Sequence, residues 1–222
     1  MSYYPIMIDL SGKKAVVLGG GMVAQRKVET LLEYGAEVHL ISREMTPLLE
    51  NYAREGRVRL VGKELEGGEF DGASIAVIAT DDPHLNRRAA DIARGQGVLV
   101  NVADQPSDCD FIVPSILRRG DLIIAVSTSG RSPALAKRIR ERLTAQFGDE
   151  YGDFLSLMGH IRKEILSRGL TQEENSRIFH ELVNSPIIEA IAREDWQEIV
   201  SNLERILRMR FSVDEVTDLI RT

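Results

Sequence analysis

An unbroken apolar run near the start of the chain, Ala15-Val16-Val17-Leu18, leads straight into Gly19-Gly20-Gly21-Met22-Val23-Ala24. An apolar run closed by glycine suits a strand buried on both faces, as parallel strands are. The segment behind it carries Val23, Val28, Leu31 and Leu32 and stops at Gly35, which predicts a helix over 22–34. Strand, glycine turn and helix in this order turn backbone N–H groups toward a pyrophosphate at the positive end of the helix. Gly19 permits the tight turn and Gly21 lets a ligand approach the backbone. Ala24, in place of a third glycine, still allows the helix to pack close to the strand. The implied ligand is a dinucleotide.

Further strand-like runs follow at Glu37–Ile41, Val58–Val61, Ser74–Ala79 and Val98–Asn101, with helical segments at Pro47–Glu55 and Pro83–Arg94, each opened by a proline. Alternating strands and helices predict an α/β fold of the Rossmann type, a doubly wound parallel sheet. Ligands bind such sheets outside the carboxyl ends of the strands, which selects the glycine turn and three further tips. At Ser42-Arg43 the acidic residue expected of an NAD site is missing. The hydroxyl and guanidinium would suit the 2′-phosphate of NADP, or Arg43 stacks on adenine or faces solvent. Thr80 and Asp81 are candidate cofactor contacts. Asp104, behind Asn101-Val102-Ala103, is the candidate catalytic residue: a partly desolvated carboxylate there would be raised toward a useful range and could take a proton as a hydride leaves. It could equally be a turn-forming aspartate ahead of Gln105-Pro106.

At 222 residues there is room for one large domain and a smaller one. A formal net charge of −6 argues against non-specific nucleic-acid binding. One cysteine, Cys109, excludes an intrachain disulfide and fits a reducing compartment. The N-terminus lacks signal-peptide character and no apolar stretch reaches the roughly 20 residues a bilayer requires, so a cytoplasmic protein without membrane attachment is expected. His39, His84, His160 and His180 lack ligand spacing and Cys109 has no paired cysteine, so no metal site is expected.

The second half opens with Phe111–Ser115 and a strand at Leu122–Ser127, then a polar turn and a helix capped by Ser132 with Pro133 at its first position. Between Pro114 and Arg142 the bases Arg118, Arg119, Arg131, Lys137, Arg138, Arg140 and Arg142 face only Asp121 and Glu141. The later ones suit a solvated helix face. Arg131, beside Ser129, Gly130 and a helix N-terminus, suits an anion such as a polycarboxylate. From Tyr151 onward the pattern is helical, with capping boxes at Thr171–Glu174 and Ser212–Glu215 and an amphipathic helix over Trp196–Met209. The expected domains are 1–113 for dinucleotide binding, 114–147 as a small α+β element and 148–222 as an all-α domain.

The glycine turn continuing through Gln25-Arg26-Lys27, then Ala79-Thr80-Asp81-Asp82, Asn101-Val102-Ala103-Asp104, Phe111–Ser115 and Ala125–Ala136, in that order, resembles the precorrin-2 dehydrogenase family. This family comprises the N-terminal portion of siroheme synthase and its stand-alone relatives. The likeness is dense over residues 1–145 and weak beyond. It implies NAD-dependent oxidation of precorrin-2 to sirohydrochlorin; some members also insert ferrous iron as a ferrochelatase. It implies a homodimer joined through 114–147, a catalytic Asp104, and cofactor contacts at Gly19, Gly20, Gly21, Met22, Val23, Ser42, Arg43 and Glu44. Asn101, Ser127, Thr128, Ser129, Gly130 and Arg131 are the expected contacts to a substrate rich in carboxylates. The family uses NAD although it often lacks the acidic residue. Thr128 stands where some relatives have serine, and the chain ends where the fused enzyme would continue into a methyltransferase half. A non-catalytic NAD(H)-sensing module is the alternative; it explains the first half but gives Arg131 no role.

Overall fold

The computed structural model describes residues 3–221. The chain divides between Val113 and Pro114 into two compact units.

In the first unit, β1 (Lys14–Leu18), β2 (Glu37–Ile41), β3 (Val58–Gly62), β4 (Ile75–Ile78) and β5 (Leu99–Val102) alternate with α1 (Met22–Glu33), α2 (Pro47–Arg54) and α3 (Pro83–Gly95). The five strands form one parallel sheet in the order β3-β2-β1-β4-β5. The order reverses at β1, so the crevice between the ends of β1 and β4 is the switch point where such sheets take ligands. Residue alternation divides the core. Ala15 and Val17 pack with Ala24, Val28 and Leu31 of α1 and Leu49 of α2. Val16 and Leu18 pack on the other face with Ala89, Ala90 and Ala93 of α3 and the fully buried Phe70. Two covered faces are the reason these strands read as continuous apolar runs.

The helix over 22–34 forms with a different inward face: Ala24, Val28 and Leu31 are buried, while Val23 joins Met22 in solvent at the N-terminus. The 3.6-residue period admits one of the neighbours 23 and 24 to the sheet, and the smaller packs closer.

The second unit begins with an antiparallel hairpin, β6 (Ser115–Arg119) and β7 (Leu122–Val126), on which α4 (Pro133–Gln146) packs. The basic sequence of β6 hid a strand. Its Arg119 is partly buried, donating from Nε to the Phe147 carbonyl at 3.1 Å and pairing with Asp149. Five helices follow, α5 (Glu150–Ser167), α6 (Gln172–Val183), α7 (Ile187–Ala192), α8 (Trp196–Leu207) and α9 (Val213–Arg221). Phe154, Leu157, Ile161 and Ile165 form the inward stripe of α5 and pack with Ile199 and Leu203 of α8 and Val216 and Ile220 of α9. Both expected capping boxes form. Among the described residues no helix is long and apolar enough to cross a membrane.

Candidate active site

The three glycines after β1 do three different things. Gly19 takes φ +115°, in the region that favours glycine, and a Cβ there would run into the Ala79 carbonyl at the tip of β4. A Cβ on Gly20 would strike the Glu44 carbonyl and the Ser42 hydroxyl, and the Gly20 carbonyl accepts from Thr46 N–H at 3.0 Å. Gly21 meets nothing within 4 Å and is open. Two glycines therefore draw the strand tips together and one leaves access.

Gly21 is also the N-cap of α1 and supplies no side-chain cap. The first helical bond runs from Gln25 N–H to the Gly21 carbonyl at 2.9 Å. The N–H groups of Met22, Val23 and Ala24 precede it and so have no carbonyl within the helix. Its neighbours are closed by contrast: Thr46 accepts from Leu49 N–H at the start of α2, and Asp82 accepts from His84 and Leu85 N–H at the start of α3. An open cradle with orphan donors and a positive dipole end fits a pyrophosphate.

At the tip of β2, Ser42 Oγ donates to the Glu44 carbonyl at 2.5 Å and so shapes the loop that Gly20 packs against. Arg43 pairs with Glu64 at 2.8 Å, both side chains mostly in water. At the tip of β4, Thr80 and Asn86 are tied twice: Thr80 Oγ1 to Asn86 Oδ1 at 2.5 Å, and Asn86 Nδ2 to the Thr80 carbonyl at 2.9 Å. Asp82 caps α3, and the Leu85 and His84 N–H groups hold its carboxyl below its ordinary value. Asp81 is exposed. The sequence reading missed Asn86. Its signal was a polar residue on the alanine-lined inward face of α3, where it is one of two buried polar residues in the described chain.

Asp104 follows β5 in the left-handed region, φ +59°, and is exposed. The desolvation expected of it from sequence is not supplied by its own unit, because β5 is an edge strand and the turn stands clear of its end. Asn101 is buried and spends its amide N–H on the Phe111 carbonyl at 2.9 Å, which makes it a support of the turn. Lys27, half-buried on α1, is pushed below its ordinary value by burial; Cys109 and Asp104 oppose that shift and Arg26 adds to it. Burial, ahead of the neighbouring Asp108 and Asp110 carboxylates, pushes the Cys109 thiol up.

In the second unit the turn between β7 and α4 is built by its own hydroxyls. Ser129 N–H donates to Ser127 Oγ at 3.1 Å, Ser132 N–H to Thr128 Oγ1 at 3.0 Å, and Arg131 N–H to the Thr128 carbonyl at 3.0 Å. Ser129 and Gly130 both take positive φ, 52° and 78°. Ser132 caps α4 by accepting from Leu135 N–H. The helix end named from sequence as part of an anion site is thus already capped, and Arg131 is left exposed with no ion pair among the described residues.

Clefts of about 570 and 590 Å³ lie elsewhere, one beside Tyr52 and Arg57 and one beside Trp196.

The sheet order, the switch-point crevice and the uncapped glycine turn define a Rossmann-type fold with an open cradle suited to a dinucleotide. A family model described as putative NAD(P)-binding matches residues 6–115, and one described as sirohaem biosynthesis protein central matches 119–146. The chain is 38% identical to a siroheme synthase of Nitrosococcus oceani over 95% of its own length and 45% of that protein. It is 33% identical to siroheme synthase 1 of Serratia proteamaculans over 93% of its length and 44% of that protein. It therefore spans about half the length of the curated relatives it matches. Among solved structures, SirC, precorrin-2 dehydrogenase, superposes with a TM-score of 0.77 at 25% identity, over 93% of this chain and all of that one. The chain belongs to the siroheme-synthase and precorrin-2 dehydrogenase family.

Proposed function

We propose that the protein oxidises precorrin-2 to sirohydrochlorin with NAD as hydride acceptor, the step the family likeness implies. The observation that carries the reading is the placement of Asp104 and the glycine turn at the same, carboxyl-terminal edge of one sheet. The tips of β1 and β5 are two strand spacings apart, about 10 Å, with Thr80 at the tip of β4 between them. That is the span a dinucleotide covers when its pyrophosphate rests on α1 and its other end reaches β5.

Nicotinamide, when bound, supplies the site that receives the hydride. The N–H groups of Met22, Val23 and Ala24 hold the pyrophosphate, and the Thr80–Asn86 pair fixes the strand tip beside it. Asp104 takes the proton that must leave with the hydride, so the substrate loses two hydrogens and the balance is NADH and one proton. Arg131 neutralises a substrate carboxylate, and Ser127 and Thr128 hold the turn that presents it.

NAD is proposed over NADP because Arg43, the cation at the β2 tip, is held by Glu64. A homodimer is proposed because Ile116, Leu122, Ile123 and Ile124 of the β6–β7 hairpin stay partly exposed although α4 packs on it. Asp104→Ala is expected to bind NADH as the parent does and to lose about 10²- to 10⁴-fold in kcat. The check is anaerobic turnover of precorrin-2 with NAD, followed by NADH absorbance and the sirohydrochlorin spectrum; a parental rate would remove Asp104 from the chemistry. Absence of turnover in the parent with intact NADH binding would favour a sensing module.

A further inference from the structure

The strand that leads to Asp104, β5, is the outer strand of its sheet, and no strand pairs with its outer edge among the described residues. Residues 109–111 run along that edge, and the Asp110 backbone with the Asp110 and Cys109 side chains takes the place of a sixth strand. Asp110 N–H donates to the Val100 carbonyl at 2.8 Å, and Val100 N–H donates back to Asp110 Oδ2 at 3.0 Å. One step further along, Val102 N–H donates to Cys109 Sγ at 3.2 Å, and the thiol can donate to the Val102 carbonyl at 3.2 Å or the Gln105 carbonyl at 3.3 Å. Arg94 on α3 closes the arrangement, with Nε 3.0 and 3.2 Å from the two Asp110 oxygens and Nη2 2.6 Å from the Asp108 carbonyl.

We infer that Asp110 and Arg94 are positioning residues for Asp104: together they clamp the far end of the 103–108 turn to the edge of the sheet and α3, and so hold the Asp104 carboxylate in its left-handed pose. Positive φ is uncommon for a residue other than glycine; aspartate enters it more readily than most, so keeping the carboxylate at one place depends on how firmly the turn is anchored. The near end of the turn is held by the strand itself; the far end is held by the Asp110–Arg94 pair. The Asp110 carboxylate does two tasks at once, satisfying an edge N–H that would otherwise be open and anchoring to a helix that packs on the sheet. Neither Asp110 nor Arg94 is placed to touch the dinucleotide turn, so the clamp bears on the reacting geometry rather than on cofactor affinity.

The inference rests on Asp104 being the proton acceptor, and two measurements separate the two ideas. Hydrogen–deuterium exchange over residues 99–111 of the full chain reads the clamp without any turnover. Asp110→Ala is expected to speed exchange at Val100 and Val102 about tenfold or more, while Asp110→Asn, which still accepts from Val100 N–H, keeps most of the protection. In steady state with precorrin-2 and NAD, Asp110→Ala and Arg94→Gln are expected to lower kcat about tenfold with KM and the NADH Kd within about twofold, and Asp110→Asn to recover most of the rate. Unchanged exchange in Asp110→Ala overturns the clamp whether or not the parent turns over. Faster exchange with an unaltered kcat, or a fall in kcat matched by an equal weakening of NADH binding, overturns its role in positioning. A parent with no dehydrogenase activity would sink the functional reading alone, and the exchange data would still decide whether the clamp exists.

Discussion

Two turns in this chain share a plan and treat their backbone oppositely. Each follows a strand, contains glycine at positive φ and opens a helix: Gly19–Gly21 before α1 in the first unit, Thr128–Arg131 before α4 in the second. The first leaves its helix uncapped and its donors open. The second satisfies its donors with Ser127, Thr128 and Ser132 and leaves a guanidinium exposed instead. A pyrophosphate is compact and needs several converging N–H groups, which only bare backbone supplies. Scattered carboxylates on a large substrate are better met by a long, mobile cation. On the proposed function, the same strand–turn–helix topology serves two kinds of anion, and the capping residue separates them.

The sharpest way to break this contrast is to cap the open helix. Gly21→Asp has room and an ordinary φ of −78°, so the fold should tolerate it and α1 should gain its missing N-cap. The carboxylate would claim the donors meant for the phosphates and repel them. NADH Kd, measured by fluorescence titration, should rise about 100-fold or more, roughly 3 kcal/mol, with no fall in Tm. Retained affinity would mean that the pyrophosphate does not sit there. Next in size, Arg131→Ala should raise the KM for precorrin-2 about tenfold, the worth of one charge-assisted hydrogen bond, and leave NADH binding untouched. Ser132→Ala removes the cap that α1 lacks by design. Denaturation should show a loss of about 1 kcal/mol with NADH binding unchanged.

The smallest effect concerns the helices capped by acids or capping boxes. Backbone N–H groups hold Asp82, Glu174 and Glu215 below their ordinary values of 3.8, 4.5 and 4.5. A carboxylate depressed in the folded state stabilises it fully above the unfolded value and loses that contribution as pH falls through the folded one. The contribution of these three carboxylates should therefore be flat above about pH 5 and decline in acid, and Asp82→Asn should flatten part of the decline in urea melts followed from pH 5 to pH 2.5. The turn before α1 has no such carboxylate and adds nothing to this slope.

Much of the fold was legible because its signals are local. The run before Gly19, the prolines opening α2, α3 and α4 and the capping boxes each act within a turn or two of chain. The site was legible in part. Glycine spacing marked the cradle, yet it could not say that Gly20 serves the 42–44 loop while Gly21 faces outward, since that depends on where β2 ends in space. Asn86 and Asp110 were invisible for a related reason: each acts on a partner brought near by the sheet, and neither lies in a pattern of its own. The strand at 115–119 was masked by its arginines, one of which is used internally against Phe147 and Asp149.

By itself the sequence determined the alternation of strands and helices, the glycine turn and the family likeness, because periodicity and chain stiffness act on neighbours. Tertiary structure alone decided that Asp104 is exposed on an edge strand, that Arg43 is paired, that the end of α4 is already capped, and that Asp110 and Arg94 secure the turn beside β5. Those facts turn on which distant atoms meet, and burial, pairing and hydrogen-bond satisfaction are properties of the meeting rather than of the residue.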